Sequence, residues 1–251
     1  MQSPKFPVIL QRNIKGQIKM DNTKQRIMEC CIKEVIENDL KTITMDSIAK
    51  KLAISKKTIY EHFNNKEMLI EDTLLFYSNF LISFVKEDAK NYDNPFMQLL
   101  QTTLHLIYYV GKVSIAKKQS ILRTYPQIAK KTTTGNYEFI TKFIIPLIKK
   151  SQKEEYITNQ FTPEYILALL FAHKLEYHPI EKIELIGKTY NYNSLSIMRI
   201  FVMIKGLSTH KGEEEMNKLR IQFSDSNPED LKKEFEKIIE NFTVESNNKT
   251  I

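Results

Sequence analysis

The chain of 251 residues contains no tryptophan, six glycines, eight prolines and two cysteines. So few glycines and prolines argue against an all-β fold, because such a fold needs many tight turns. Long stretches with helical spacing and few breaking residues predict an all-α protein instead. With 42% hydrophobic residues there is enough apolar material for a core, and the length fits one large domain or two smaller ones.

The sequence also lacks any run of 18 apolar residues, so it predicts no transmembrane helix and no membrane partner. Residues 1–20 contain neither the apolar segment nor the cleavage site of a signal peptide. Cys30 and Cys31 are adjacent on a predicted helix, where neighbouring side chains point about 100° apart and do not form a disulfide. We expect them to fill the core, with a redox switch as the alternative. Together these features predict a cytoplasmic protein.

Patterns of catalysis are missing as well. The chain has no Gly-rich phosphate loop, no H-E-x-x-H and no G-x-S-x-G. His173 and His178 lie five residues apart with Glu176 between them, a spacing that does not suit one face of a helix. The sequence therefore predicts no enzyme, no catalytic residues, no metal site and no cofactor.

The positive charge is concentrated at one end of the chain. Residues 1–70 contain 13 Lys and Arg against 8 Asp and Glu, a net charge of +5, and the remaining 181 residues carry +2. A basic end attached to a nearly neutral body suits a polyanionic partner for the first part. A solvated, lysine-rich surface explains the same numbers, so charge alone does not decide.

Residues 44–66 read TMDSIAKKLAISKKTIYEHFNNK and predict two short helices joined by a tight turn. Thr44 is a good N-cap for the first helix, whose apolar positions Met45, Ile48, Ala49 and Leu52 share one face. Ser55 is a good N-cap for the second helix, which we expect to cover residues 56–63 and to bury Ile59 and Phe63.

Such a pair of helices is typical of a helix-turn-helix. The second helix would lie in the major groove of DNA, with lysines supplying charge to phosphates and Thr, Tyr and His supplying hydrogen bonds. The alternative is an ordinary helical corner whose lysines are solvated.

Residues 24–70 resemble the N-terminal DNA-binding domain of the TetR family of transcriptional regulators. The resemblance is strongest in the T-I-Y-x-H-F-x-x-K-x-x-L pattern from Thr58 to Leu69. One position departs from the family pattern, because Ala53 stands where the first turn residue is usually glycine. A positive φ at that position costs alanine about 1 kcal/mol relative to glycine.

The resemblance implies a homodimer that binds a palindromic site on double-stranded DNA, most often as a repressor. It implies contacts with DNA from the residues that match family positions on or beside the two short helices: Thr44, Ser47, Lys56, Lys57, Thr58, Tyr60, His62 and Lys66. By position, the apolar helices near 162–174 and 194–208 resemble those with which the family forms its dimer interface.

We expect four parts: a flexible basic arm at 1–20, the DNA-binding domain at 21–66, a helical effector-binding and dimerisation domain at 67–245, and a disordered tail at 246–251. In the body, a helix following Gly135 and kinked at Pro146 is predicted over 136–150, and an amphipathic helix over 228–242. Residues 1–19 have an alternative interpretation as an extension without a role.

A small apolar effector is expected in the body, because ligands of this family shift its DNA-binding state. The candidate pocket residues are Tyr77, Phe80, His105, Tyr108, Tyr109, Tyr125 and Phe171, for which ordinary core packing is the alternative. Two other functions stay open: an adaptor that uses the helix-turn-helix for protein contacts, and a helical enzyme with a redundant N-terminal domain.

Overall fold

The computed structural model describes residues 22–38, 40–111, 113, 115–171, 182–185 and 188–218. Apart from connecting turns and one short hairpin, these residues are helical, so the predicted all-α class is confirmed. The predicted arm at 1–20, the predicted helix at 228–242 and the tail lie outside the described residues.

The first helices follow the predicted order closely. They are α1 (Asn22–Glu37), α2 (Met45–Leu52), α3 (Lys56–Tyr60) and the long α4 (Lys66–Ala89). The body continues with α5 (Pro95–Gly111), α6 (Ile115–Thr124), α7 (Pro126–Phe139), a π-helical turn (Ile140–Ile144), α8 (Ile145–Lys153) and α9 (Pro163–Phe171). The described chain ends with strands β1 (Lys182–Leu185) and β2 (Lys188–Asn191), then α10 (Tyr192–Leu207) and α11 (His210–Lys218).

The hairpin was not predicted. β1 and β2 pair antiparallel with Lys182 opposite Asn191 and Leu185 opposite Lys188, so the two strands are joined by a two-residue connection. Four-residue strands give too short a run for alternation to be distinguished from a loop in the sequence.

The predicted break at Gly135 is wrong, because α7 runs through this residue to Phe139. The irregularity lies further along, where the Ile145 amide donates to the Ile140 carbonyl across the π-helical turn. This turn directly precedes Pro146, which has no amide hydrogen to donate to the preceding turn. The kink predicted at Pro146 stays a prediction, and the glycine does not interrupt the helix.

The chain divides into two compact units, each with its own core. The first contains residues 22–84 and 116–136, and the second contains the described residues of 85–115 and 137–218. Helices α4 and α7 each contribute residues to both units. The predicted boundaries at 20, 66 and 245 stay a prediction.

In the first unit, α1 packs against α2 and α2 packs against α3. The predicted apolar stripe of α1 is buried, including Ile27, Cys31 and Val35. Ile59 and Phe63 are also fully buried, as the i, i+4 spacing predicts.

In the second unit, α5 packs against α8 and α10, and α9 packs against the same two helices. The first turn of α5 is fixed by Phe96, whose ring stacks on that of Tyr156 with centroids 5.8 Å apart. Thr162 caps α9 as predicted, since its hydroxyl accepts from the Tyr165 amide at 3.2 Å.

By length and composition alone, α4 meets the criterion for a membrane span, with a mean hydropathy of 1.4 in an 18-residue window. The core helix of a water-soluble protein passes the same test, and 39% of this window is buried inside the chain. The absence of a membrane partner therefore stays a prediction.

Candidate nucleic-acid interface

Helix α2 begins at a reciprocal cap. The Thr44 hydroxyl accepts from the Ser47 amide, and the Ser47 hydroxyl accepts from the Thr44 amide, each at 3.0 Å. This capping box satisfies two amides that the first turn of a helix would otherwise leave unpaired. The predicted cap is confirmed, and it fixes the start of α2 and the orientation of both side chains.

The turn between the two helices is held by the left-handed residue Ala53, at φ 52° and ψ 42°. The Ala53 amide donates to the Lys50 carbonyl at 3.3 Å, and the Ile54 amide donates to the Ala49 carbonyl at 3.1 Å. These two bonds form a Schellman motif, in which the left-handed position is usually glycine. The expected positive φ is therefore present, although alanine occupies the position.

Helix α3 is shorter than predicted. Ser55 caps it as expected, accepting from the Thr58 amide at 3.0 Å, but the helix ends at Tyr60 rather than at Phe63. The cause is a tightened last turn, in which the Ile59 carbonyl accepts from the amides of both His62 and Phe63. Phe63 still reaches the core, so the difference concerns only the backbone of residues 61–63.

The candidate DNA-contacting residues are all exposed or half-buried. Thr44, Lys56, Lys57 and Tyr60 are exposed, and the remaining four are half-buried: Ser47, Thr58, His62 and Lys66. All eight belong to the first unit, and the structure places them on α2, on α3 and at the turn and helix that follow.

The two lysines that begin α3 differ in their partners. The Lys56 ammonium lies 2.8 Å from the Asp46 carboxylate and 6.0 Å from the centre of the Tyr60 ring. The hydrogen bond that Lys56 donates to the Asp46 carboxylate raises the pKa of the Lys56 ammonium. Lys57 has no ion pair within the described part of the chain, so its charge is available to a ligand.

Lys66, at the start of α4, has a partner that the sequence did not reveal. Its ammonium donates to the backbone carbonyl of Leu40 at 2.7 Å, which ties the loop before α2 to the first turn of α4. Asn65 caps α4 by accepting from the Met68 amide at 2.8 Å. An ammonium that binds a carbonyl retains other N–H groups, so Lys66 can hold the loop and still reach a phosphate.

Helix α1 is anchored by ion pairs and by a bond to its last turn. Lys51 on α2 forms an ion pair with Glu34, whose other carboxylate oxygen accepts from Asn38 at 3.0 Å. Lys117 on α6 donates to the Ile36 carbonyl at 2.5 Å. No pattern in the sequence joins residues 36 and 117, because they lie 81 positions apart and one partner is a backbone atom.

The two cysteines are not activated thiols. Burial raises the pKa of Cys31 to about 12, and the nearby Thr73 hydroxyl lowers it by less. Burial, followed by the charge of Glu34, also raises the pKa of the half-buried Cys30. Because the thiolate is the reactive form, both thiols are poor nucleophiles at neutral pH.

The candidate pocket residues fall in both units. In the first unit, Tyr77 and Tyr125 are buried and Phe80 stacks on Phe84 at 6.4 Å; burial raises the pKa of both tyrosines. In the second unit, His105 is buried with its Nδ1 atom 3.1 Å from the Asp88 carboxylate. The side chains of Tyr108, Tyr109 and Phe171 lie outside the described part.

Within the described residues, no three His, Cys, Asp or Glu side chains come close enough together to hold a metal ion. An open groove of about 780 Å³ runs along α1 and the end of α2, and its lining is largely charged or polar, including Arg26, Glu29 and Lys33. It does not have the apolar lining expected of the effector pocket.

Taken together, two capped helices, a Schellman turn and an outward cationic surface define a helix-turn-helix DNA-binding protein. Residues 32–73 match the sequence model described as bacterial regulatory proteins, tetR family. A comparison with curated proteins gives no match.

Solved structures show the same fold over about three quarters of the chain. A TetR/AcrR-family regulator from Thermobifida fusca is 12% identical with a TM-score of 0.58, covering 75% of this chain and all of that one. A putative TetR-family regulator from Mesorhizobium loti is 16% identical with a TM-score of 0.56, covering 76% and 97%. One from Agrobacterium tumefaciens is 12% identical with a TM-score of 0.52, covering 74% and 98%. By this match, residues 32–73 belong to the TetR family of transcriptional regulators, and the fold of the chain is that of solved regulators of the family.

Proposed function

We propose that this protein is a cytoplasmic, non-enzymatic repressor that binds a palindromic operator as a homodimer and is released by a small molecule. The observation that supports DNA binding most directly is the α2–turn–α3 geometry, in which Thr44, Ala53 and Ser55 fix two helices beneath an exposed cationic surface. One α3 would enter the major groove in each half-site.

The side chains around α3 take different roles in this proposal. Lys57 and Thr58 reach base edges or nearby phosphates, and Lys56 joins them when DNA competes with Asp46 for its ammonium. Tyr60, His62 and Lys66 hold phosphates, and Thr44 with Ser47 supply further phosphate contacts at the start of α2.

Dimerisation through α9 and α10 is supported by apolar side chains that this chain leaves exposed there. Tyr165 on α9 is 54% exposed and Val202 on α10 is 60% exposed, whereas Ile200 and Ile204 on the same helix are buried. An exposed apolar side chain on each of two neighbouring helices supports an interface there.

The experiment that tests the function is selection of the purified full chain on a pool of random duplex DNA, followed by sequencing of the retained duplexes. We expect an enriched palindrome whose two half-sites are related by the two-fold axis of the dimer. Retention without enrichment would mean that only the basic surface binds, and no retention at low salt would contradict the proposal.

Two lysine variants make the test specific to α3. Lys57→Ala should weaken operator binding and lower the slope of log K against log salt by about 2 for a dimer, since each phosphate contact contributes about 0.9. Lys150→Ala, which removes an exposed lysine from α8, should change neither. Equal behaviour of the two variants would exclude Lys57 from the interface.

The second candidate function is an adaptor that presents α3 to another protein. The ion pair between Lys56 and Asp46 favours it in one respect, because this surface carries less free charge than its sequence suggests. It predicts no salt-dependent affinity for any duplex.

A further inference from the structure

Helix α5 buries polar side chains, and two of them have no hydrogen-bond partner. Gln101 is 0% exposed, and neither its carbonyl oxygen nor its amide nitrogen is bonded to any described residue. The buried Thr102 hydroxyl is also unpaired, whereas that of the adjacent Thr103 donates to the Leu99 carbonyl at 2.8 Å. Buried polar groups in folded proteins nearly always have a partner, so this contrast within one helix needs a cause.

These groups lie on one side of α5. Gln101 and His105 are four residues apart and Thr102 and His105 are three apart, so each of the two unpaired side chains neighbours His105 on the helix surface. His105 is in turn paired with Asp88, near the end of α4, at 3.1 Å. Asp88, the acidic group beside these residues, is therefore paired with His105. Gln101 and Thr102 are the neutral groups that lack a partner among the described residues.

The chemistry of Gln101 and Thr102 specifies what would satisfy them. A glutamine side chain presents an acceptor and donors in one plane, and a threonine hydroxyl both donates and accepts. A ligand group with an adjacent donor and acceptor, such as a carboxamide or a lactam, matches that edge with two parallel hydrogen bonds. A carboxylate offers no donor to the Gln101 carbonyl and would place a second negative charge near Asp88.

We propose that the Gln101–Thr102 side of α5 binds an uncharged small molecule through a carboxamide or lactam group. This inference deepens the effector site of the proposed function and rests on it for its regulatory meaning. The polar atoms are shut off from solvent in this conformation, so the ligand binds a state in which this side of α5 has opened. Leu100 and Leu104, both buried on the same helix, provide apolar surroundings for the rest of the molecule.

The first test compares two buried glutamines. Gln101→Leu should raise the melting temperature of the full chain by about 2–4 °C, because it replaces unpaired buried polar atoms by apolar ones of similar size. Gln152→Leu is the control and should lower it, since the Gln152 amide donates to the carbonyls of Thr158 and Phe161 at 3.0 and 2.8 Å. A lower melting temperature for Gln101→Leu would overturn the proposal by showing that the amide is a structural group.

The second test measures binding with fragments in ligand-observed NMR, using the full chain without DNA. Benzamide and 2-pyrrolidinone carry the proposed group, and benzoate and toluene are controls for charge and for apolar contact. We expect one of the two amides to bind with a Kd of about 1 mM or better. Gln101→Leu should weaken that binding at least ten-fold, and Thr103→Val should leave it unchanged.

Absence of binding by both amides, or binding that survives Gln101→Leu, would overturn the ligand class. Equal binding of toluene would show an apolar site that does not use Gln101, which also contradicts the proposal. Because no DNA is present, these outcomes are independent of operator selection. Failure of DNA binding with intact amide binding would contradict the proposed function and leave this site in place.

Discussion

At the scale of single residues, the turn between α2 and α3 holds Ala53 in a strained, left-handed backbone conformation. Its φ of 52° is uncommon for a residue with a Cβ atom, yet the Schellman bonds of this turn require it. The strain of a left-handed alanine is about 1–2 kcal/mol, and a glycine would recover part of it while losing about 0.4–1 kcal/mol to a more flexible unfolded chain.

We therefore expect Ala53→Gly to raise the free energy of unfolding by about 0.5–1 kcal/mol in urea titrations. Ala168→Gly makes the same chemical change at an exposed position inside α9, where glycine is unfavourable, and should lower it by a similar amount. Loss of stability in both variants would mean that the turn relaxes in solution and stores no strain.

Cys31 makes a second prediction at this scale. Its pKa rises from the ordinary value of 9.0 to about 12 on folding, so the folded chain keeps a proton that the unfolded chain releases. The protonated Cys31 thiol contributes fully to the free energy of unfolding below pH 9. This contribution is lost as the pH rises toward 12, at about 1.4 kcal/mol per pH unit. We expect the free energy of unfolding, measured around pH 10.5, to fall with rising pH in this way. Cys31→Ala should remove the part of that slope that comes from one proton.

Thiol labelling gives an independent measurement of the same property. At pH 8, Cys31 in the native chain should react with a disulfide reagent only on the time scale of unfolding, and it should react at once in denaturant. Cys30→Ser isolates the Cys31 signal. Rapid native reaction of Cys31 would favour the redox switch over a core residue.

At the scale of elements, the caps hold the DNA-binding surface together. We expect Thr44→Ala to lower the free energy of unfolding by about 1 kcal/mol and to weaken DNA binding, because the start of α2 loses its reciprocal bonds. Thr44→Ser keeps a hydroxyl that can cap α2, so this variant should retain most of the stability and most of the DNA affinity. As a control, Thr141→Ala removes an exposed hydroxyl that bonds only to helix carbonyls, and it should change neither.

Elements were predictable from sequence wherever the information was local. Caps at Thr44, Ser55 and Thr162 and the apolar faces of α1 and α2 depend on neighbours within four positions. The end of α3 was not predictable, because it depends on how the Ile59 carbonyl shares its two amide donors. The run of α7 through Gly135 is similar, since glycine weakens a helix by only about 1 kcal/mol and packing can outweigh that.

The candidate site was predictable as a set of residues but not as a set of partners. The eight candidate DNA-contacting residues follow from the motif; four are exposed and four are half-buried, and their contact with DNA stays a prediction. The Asp46 partner of Lys56 and the Leu40 carbonyl bound by Lys66 depend on the fold, because neither pair has helical spacing. Gln101 and Thr102 were missed for the same reason, since an unpaired polar group is visible only once its surroundings are known.

At the scale of the whole molecule, the proposed repressor requires two copies of α3 at a fixed separation. A short helix with few phosphate contacts binds DNA weakly by itself, and linking two of them makes the second contact effectively intramolecular. Operator affinity should therefore depend on side chains that never approach DNA, provided that they hold the dimer. Val202, exposed on α10, is the side chain best placed for this test.

We expect Val202→Arg to convert a dimer into a monomer in light scattering, because it sets a cation in the apolar centre of the proposed interface. Its affinity for the selected operator should fall at least 100-fold, while the helix content and the melting of the first unit remain. Tyr137→Arg places the same charge at an exposed aromatic residue of α7 outside α9 and α10 and should leave both properties unchanged. A Val202→Arg variant that remains dimeric would place the interface elsewhere, and a monomer with full operator affinity would show that dimerisation is not required for binding.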